Sequence, residues 1–293
     1  MPKFAKASTQ AKNVIKGLTK TKRIKSLGTA RNYMQALKTV ASWSKDIGMN
    51  GIQSMTIEQA QTYLDYRAEI VGQKALDMER QAIQAMMQLN GKLAPKQPLY
   101  RIKSSLDEIK RSRAYTSNQA EAISNRQTAK HQLATQIAYA AGLRAHELLT
   151  LAKASERSPD KRHALKSKWQ GRSGELYTVQ GKGGLIRHVI LPTSLASMLE
   201  QQRLEQPITI VDRKINYLQL YDIAGGKKWS DSFSKASNRT LLFSTGAHGL
   251  RHSYAQERMV ELKSLGFSYE TALETVSQEI GHFRADITKV YLN

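Results

Sequence analysis

The stretch Ala247-His248-Gly249-Leu250-Arg251-His252 opens a predicted helix over about residues 248–265, and everything else in the chain is placed by reference to it. His248 and Arg251 are three positions apart, so a helix puts both side chains on one face. A His-x-x-Arg spacing is common by chance and says nothing alone. Downstream, a helix expected over residues 269–280 ends at Ile280-Gly281-His282, and Tyr291 stands nine residues after His282. Upstream, an Ala-rich helix expected from about residue 128 to 141 stops at Gly142, followed by Leu143-Arg144-Ala145-His146-Glu147. Between these, β-rich runs at 175–179 and 186–191 flank Gly181-Lys182-Gly183-Gly184, which reads as a hairpin with a lysine at its tip. Each element has a plain explanation by itself: an ion pair for Arg144 and Glu147, a turn lysine for Lys182, a packing or surface ring for Tyr291.

Their order and company change that reading. Gly142-Leu143-Arg144-x-x-Glu147, the Gly-Lys-Gly-Gly hairpin, His248-x-x-Arg251-His252, Gly281-His282 and Tyr291 together resemble the tyrosine recombinase/integrase family of phage-integrase-like site-specific recombinases. The arrangement of nearly the whole chain is similar, but the specific part lies in residues 116–291, where five motifs agree in type, order and spacing. The resemblance implies a mainly α protein with a small antiparallel β-sheet, in which a helical core-binding domain precedes an α+β catalytic domain, the two forming a C-shaped clamp around duplex DNA. It implies Tyr291 as nucleophile, with Arg144, Arg251, His248, Lys182 and His282 catalytic and Glu147 and His252 supporting. The implied product is a 3′-phosphotyrosyl link with a free 5′-hydroxyl. The implied partner is double-stranded DNA, bound by a homotetramer that is a monomer or weak oligomer off DNA. A directionality factor is left open as an accessory, and no cofactor or metal is expected. The expected activity is integration or excision of a mobile element. Two alternatives are type IB topoisomerase-like relaxation and a catalytically silent regulatory or architectural DNA-binding protein.

The chemistry gives those residue types independent sense. Metal-free cleavage of a phosphodiester needs a nucleophile, a cradle for the anionic transition state and an acid for the leaving oxygen. A tyrosine serves as nucleophile when nearby cations favour its phenolate. Arginine forks match non-bridging oxygens and keep their charge, which suits Arg144 and Arg251. His248 is suited to take the tyrosine proton or to donate to the phosphate, His282 to hydrogen-bond a non-bridging oxygen, and Lys182 to protonate the 5′-oxygen. Glu147 would orient Arg144 or His248, while His252 is open between a site role and filling the helix interior. Tyr254, on the same helix, is assigned to packing. No acidic triad at metal-ligand spacing appears, which argues against a two-metal nuclease.

Composition agrees. The 293 residues carry 45 Lys+Arg against 24 Asp+Glu, a formal charge of +21, which implies a polyanionic partner whose counterions are released on binding. There is no Cys, which excludes disulfide scaffolds, zinc ribbons, Fe–S clusters and thiol nucleophiles. Apolar residues make up 40%, enough for real cores, and no apolar run reaches membrane-spanning length. With no apolar leader behind the basic N-terminus either, a cytoplasmic, nucleoid-associated protein is expected.

Four segments are expected along the chain. Residues 1–25, with eight basic residues and no acid, read as a mobile basic arm; 26–91 as a helical DNA-binding domain; 92–113, with Pro95, Pro98 and seven basic residues, as a basic linker; and 114–293 as the catalytic domain. Residues 1–113 carry net +13 and residues 114–293 net +8. Thr56 with Gln59 and Thr116 with Gln119 have capping-box spacing. Residues 153–168, with Lys153, Arg157, Lys161, Arg162, Lys166 and Lys168, read as a solvated insertion. The chain ends two residues after Tyr291, so it has no following helix to lend a neighbouring protomer. Either assembly uses another surface, such as the 269–280 helix or the basic arm, or the chain is shortened.

Overall fold

Caps and apolar spacing set the helices of the N-terminal half. In the computed structural model, which describes residues 5–107 and 112–293, the chain divides into two compact units, Met1–Ile109 and Lys110–Asn293. The first contains α1 (Ala7–Lys20), α2 (Leu27–Asp46), α3 (Ile57–Ala68) and α4 (Gln73–Leu89). Ser26 caps α2 by accepting from the Thr29 N–H, and Thr56 and Gln59 form the expected capping box at α3. The four helices close on a core that includes Val14, Leu18, Leu37, Val40, Tyr63, Ile83 and Met87. Glu79 is buried within it and satisfied by the Tyr63 hydroxyl at 2.7 Å and the Arg67 guanidinium at 2.7 and 2.8 Å.

Two expectations are corrected here. Residues 7–20 are no mobile arm: Ala11, Val14 and Leu18 recur at three- and four-residue steps and are buried, while Lys6, Lys12, Lys16 and Lys20 stay outside the core. Gly17 lets α1 approach α4, since a Cβ there would lie 2.8 Å from Leu89 Cδ2. Nor is the whole of 92–113 a linker. Leu93 and Leu99 are buried in the first core, and Ser104 is pinned by the Gln73 side chain at 2.9 Å and by the Val71 carbonyl at 2.8 Å. The linker cations Lys110 and Arg111, like Lys3 of the arm, lie outside the described residues. Truncating Leu18→Ala is expected to cost about 2–5 kcal/mol in urea unfolding of the full chain, where a mobile arm would lose nothing measurable.

The second unit begins with α5 (Ser117–Ser124), capped by the Thr116/Gln119 box, and α6 (Ala129–Ala141). Strands β1 (Ala152–Lys153), β2 (Glu175–Gln180) and β3 (Ile186–Leu191) form an antiparallel sheet in the order β1-β2-β3, with Thr178 paired to both Ala152 and His188. After α7 (Thr193–Glu200) comes a hairpin of β4 (Arg203–Asp212) and β5 (Ile215–Tyr221), then α8 (Gly226–Leu241), α9 (Gly249–Ser264), α10 (Tyr269–Glu279) and the short α11 (Ala285–Thr288). The main core gathers Leu133, Ile137, Leu143, Tyr177, Val189, Trp229 and Leu250. A smaller cluster of Tyr254, Met259, Leu273, Val276, Ile280 and Tyr291 joins α9, α10 and the last turn.

The architecture is therefore mainly α with antiparallel β, but with two small sheets where one was expected. The β4–β5 hairpin turns on Arg213 and Lys214, both at positive φ (51° and 67°), so the usual glycine or asparagine signal is missing. The 153–168 insertion is also anchored. Arg157 donates to Thr178 Oγ1 at 2.9 Å, the Leu165 N–H to Gln278 at 2.9 Å, and the buried Ser167 hydroxyl pairs with Thr275 at 2.6 Å. No helix among the described residues is long and apolar enough to cross a membrane.

Candidate active site

The site is assembled around one buried carboxylate. Gly142 ends α6 in the left-handed conformation (φ 60°), where a Cβ would also strike the Tyr254 ring at 2.8 Å. The chain then turns sharply enough for Glu147 to accept from the Arg144 N–H at 2.8 Å and from Arg144 Nη1 at 2.7 Å. Glu147 is fully buried. Burial alone would push its carboxyl up, but the Arg187, Arg251 and Arg144 guanidinia outweigh that and hold it down to about 2. It is a permanent anion at neutral pH.

Arg251, in the first turn of α9, is also fully buried. Its Nη1 donates to the Gly142 carbonyl at 2.6 Å and its Nη2 to the Ile280 carbonyl, while Nη1 stands 3.9 Å from Glu147 Oε2. Burial, followed by the neighbouring Arg144 charge, lowers it to about 10, which leaves it charged at neutral pH. Its Nε has no hydrogen-bond partner among the described residues.

Tyr291 lies on the final 3₁₀ turn, 7% exposed, inside a ring of imidazoles. Its hydroxyl is 3.2 Å from His282 Nε2. Ring centroids lie 4.7 Å away at His252, 5.1 Å at His282 and 5.6 Å at His248, and the Arg251 guanidinium is 5.6 Å from the tyrosine ring. Gln256, one turn beyond His252 on α9, donates to the Tyr291 and Asn293 carbonyls at 3.1 Å each and so holds the terminal segment in place. Burial first, and Arg251 next, push His248 and His282 each down to about 3; burial and Arg113 bring His252 to about 4. All three rings are neutral at pH 7, so each carries an unprotonated nitrogen able to accept a hydrogen bond, although the same burial and positive charge make each ring a weak base.

Arg144, Glu147, His248, Arg251, His252, His282 and Tyr291 are thus brought together from four chain segments. Lys182 is not in contact with them. It is exposed on the β2–β3 turn and forms no hydrogen bond or ion pair among the described residues. Its neighbour Gly181 does reach the cluster: a Cβ there would sit 3.2 Å from Glu147 Oε1 and 3.7 Å from Arg144 Nη1. The tip is therefore one residue from the Arg144 pair. Tyr254 packs as expected and also donates to Glu279 at 2.8 Å.

Sequence reasoning missed Arg187, Gln256 and the buried pair of Arg258 and Glu279, joined at 3.0 Å. A signal existed for Arg187. The alternation of β3 puts it on the same inward face as Val189 and Leu191, where a charge needs a buried partner.

No protein-family model matches the chain, and no curated protein is similar to it in sequence. Solved structures are similar in fold. The XerH site-specific recombinase bound to difH substrate is 18% identical, with 98% of this chain and 81% of that chain covered and a TM-score of 0.56. The Tn1549 transposon integrase in complex with transposon right end DNA is 14% identical over 97% and 95%, with a TM-score of 0.60. A lambda integrase tetramer bound to a Holliday junction is 15% identical over 100% and 78%, with a TM-score of 0.62. A helical N-terminal unit, a second unit with a small antiparallel sheet, and likeness to these structures over nearly the whole chain lead to one conclusion: the chain has the tyrosine recombinase fold.

Proposed function

We propose that this protein is a site-specific DNA recombinase that cleaves and rejoins double-stranded DNA through a 3′-phosphotyrosyl intermediate, integrating or excising a mobile element. The observation that carries the reading is the Tyr291 hydroxyl 3.2 Å from a neutral His282, within a cluster that also holds Arg144 and Arg251. Tyr291 Oη attacks the scissile phosphorus and the P–O5′ bond breaks. One phosphodiester is exchanged for another, so no external energy source is required, and the arginines take the charge-stabilising role that a metal would otherwise supply. A phosphate anion bound among Arg144 and Arg251 offsets the positive charge that depresses His282, and the phenol proton then passes to His282 Nε2, which leaves His248 to hydrogen-bond a non-bridging oxygen. This gives the proton-accepting role to His282 in place of a phosphate contact and keeps for His248 the phosphate-donor alternative, and the 3.2 Å contact is the reason.

Arg144 is half-buried with one face free, and Arg251 offers its unpaired Nε; together they cradle the non-bridging oxygens. Lys182, on the glycine-flanked tip beside Arg144, protonates the departing 5′-oxygen when the hairpin closes on DNA. The net +13 of residues 1–113 supplies sequence-independent grip on the phosphate backbone. Rejoining a partner strand requires synapsis, and a homotetramer assembled on DNA is the arrangement this reading entails.

The test is a covalent adduct. Nicked suicide duplexes tiled across the DNA flanking the chain's own coding region should yield a denaturant-resistant protein–DNA species carrying a 3′-phosphate link. It should form equally with and without a chelator. Failure of any tile to give the species, with duplex binding retained, would favour a silent DNA-binding protein. Relaxation of supercoiled plasmid by a single protomer without strand exchange would favour a topoisomerase.

A further inference from the structure

Arg187 is a charged residue on the inward face of β3, 2% exposed, between two elements that carry site residues. Nη2 donates to Glu147 Oε2 at 2.9 Å and Nη1 to the Glu279 carbonyl at 2.8 Å, bridging partners 40 and 92 residues away in sequence. Its stem passes directly over Gly281, which sits at φ 72°; a Cβ there would lie 2.6 Å from Arg187 Cδ. Only a glycine permits both the left-handed backbone and this crossing. Glu147 divides its oxygens accordingly: Oε1 serves Arg144 Nη1, and Oε2 serves Arg187, the Arg144 N–H and, at 3.9 Å, Arg251.

We propose that Arg187 is a positioning residue for the cleavage reaction, a two-ended strut that fixes the Glu147 carboxylate against one partner and the C-terminal end of α10 against the other. The inference rests on the recombinase reading. Removing the strut frees Oε2 to turn toward Arg251 and loosens the carbonyl two residues before Gly281. Arg144, Arg251 and His282 then lose their common frame, although none of them has been touched. Both terminal nitrogens of Arg187 are committed to protein partners, Glu147 and the Glu279 carbonyl, so its influence falls on the chemical step and not on duplex binding. Arg187 thus ties the β2–β3 hairpin that bears Lys182 directly to the segment that bears His282.

The experiment measures single-turnover adduct formation on the nicked duplex, and duplex affinity, for the parent, Arg187→Lys, Arg187→Gln, Glu147→Gln and the Arg187→Gln/Glu147→Gln double variant. Arg187→Gln is expected to slow adduct formation about 10- to 100-fold, the scale of losing an orienting partner, with affinity changed less than about twofold. Arg187→Lys should recover part of the rate. The double variant should be little slower than Glu147→Gln alone, because both changes break the same linkage. Parental rates for Arg187→Gln, or multiplicative effects in the double variant, overturn the inference. If Arg187→Gln does not fold, the rate of Arg187→Lys decides: parental speed overturns the strut, and slowing with unchanged affinity upholds it. A parent that forms no adduct on any duplex overturns the recombinase reading itself, an outcome distinct from a cleaving parent with an indifferent Arg187.

Discussion

Tyr291→Phe is expected to abolish covalent adduct formation, a loss on the order of 10³-fold or more, while leaving duplex binding and the fold in place. The substitution removes one hydroxyl and keeps the ring. That ring is what packs against His248, His252 and His282, and the terminal turn is held through its backbone by Gln256, so neither contact is lost. The cost to stability is that of one hydrogen bond to His282, roughly 1 kcal/mol. The two other buried phenols on or against α9 are otherwise engaged. Tyr254 is buried and bonded to Glu279, and burial and the Glu279 charge raise it well above the ordinary tyrosine value. Tyr115 is buried too, and its hydroxyl accepts from the Thr245 N–H at 2.7 Å. Gel analysis of the adduct with parallel mobility shifts checks the prediction, and a persistent adduct with Tyr291→Phe would overturn the nucleophile assignment.

The residues that converge on Glu147 and Tyr291 were legible as an ordered set: local rules such as the Gly142 stop and the three-residue step from His248 to Arg251 put them on their elements, and the family resemblance of the whole series joined them. What was not legible is long-range or lacks its usual marker. Arg187 finds its partners across 40 and 92 residues, and no spacing rule announces such a bridge. The β4–β5 hairpin has alternating Ile208, Ile210, Ile215 and Tyr217, but Arg213-Lys214 at its turn gave no turn signal. Residues 7–20 were misread for a related reason: abundant lysine hid a sparse apolar stripe, and three buried residues suffice to dock a helix whose cations remain in water.

The cluster is also a problem in charge balance, since three arginines share one carboxylate away from solvent. Backbone carbonyls make up the difference: Gly142 and Ile280 accept from Arg251, and Glu279 accepts from Arg187. The excess positive charge that this leaves suits the phosphate anion of the proposed reaction, and it adds to burial, the larger cause, in keeping the three histidines neutral.

That balance makes Glu147 the position where a single change should be most destabilising. Glu147→Leu keeps the volume and removes the one carboxylate among the described residues that Arg144, Arg187 and Arg251 share, leaving Arg187 and Arg251 as buried, uncompensated cations. The expected loss is about 3–5 kcal/mol at pH 7, the scale found when one partner of a buried ion pair is deleted. The loss should depend on pH in a defined direction. In the folded chain the carboxyl is held at about 2 against an ordinary 4.5, so its stabilising contribution is complete above about pH 4.5 and is lost as pH falls toward 2. The parent should therefore converge on the variant in acid. The depressed histidines act in the same sense on both proteins, because the unfolded chain takes up protons below about pH 6.5 that the folded site refuses, so most of their effect cancels between parent and variant; Glu147 is the last and smallest of the named influences on His282, which it raises. Urea midpoints at pH 7 and pH 3 test this. A difference below about 1 kcal/mol at pH 7, or one that does not shrink at pH 3, would show that the carboxylate is not what holds the arginines together.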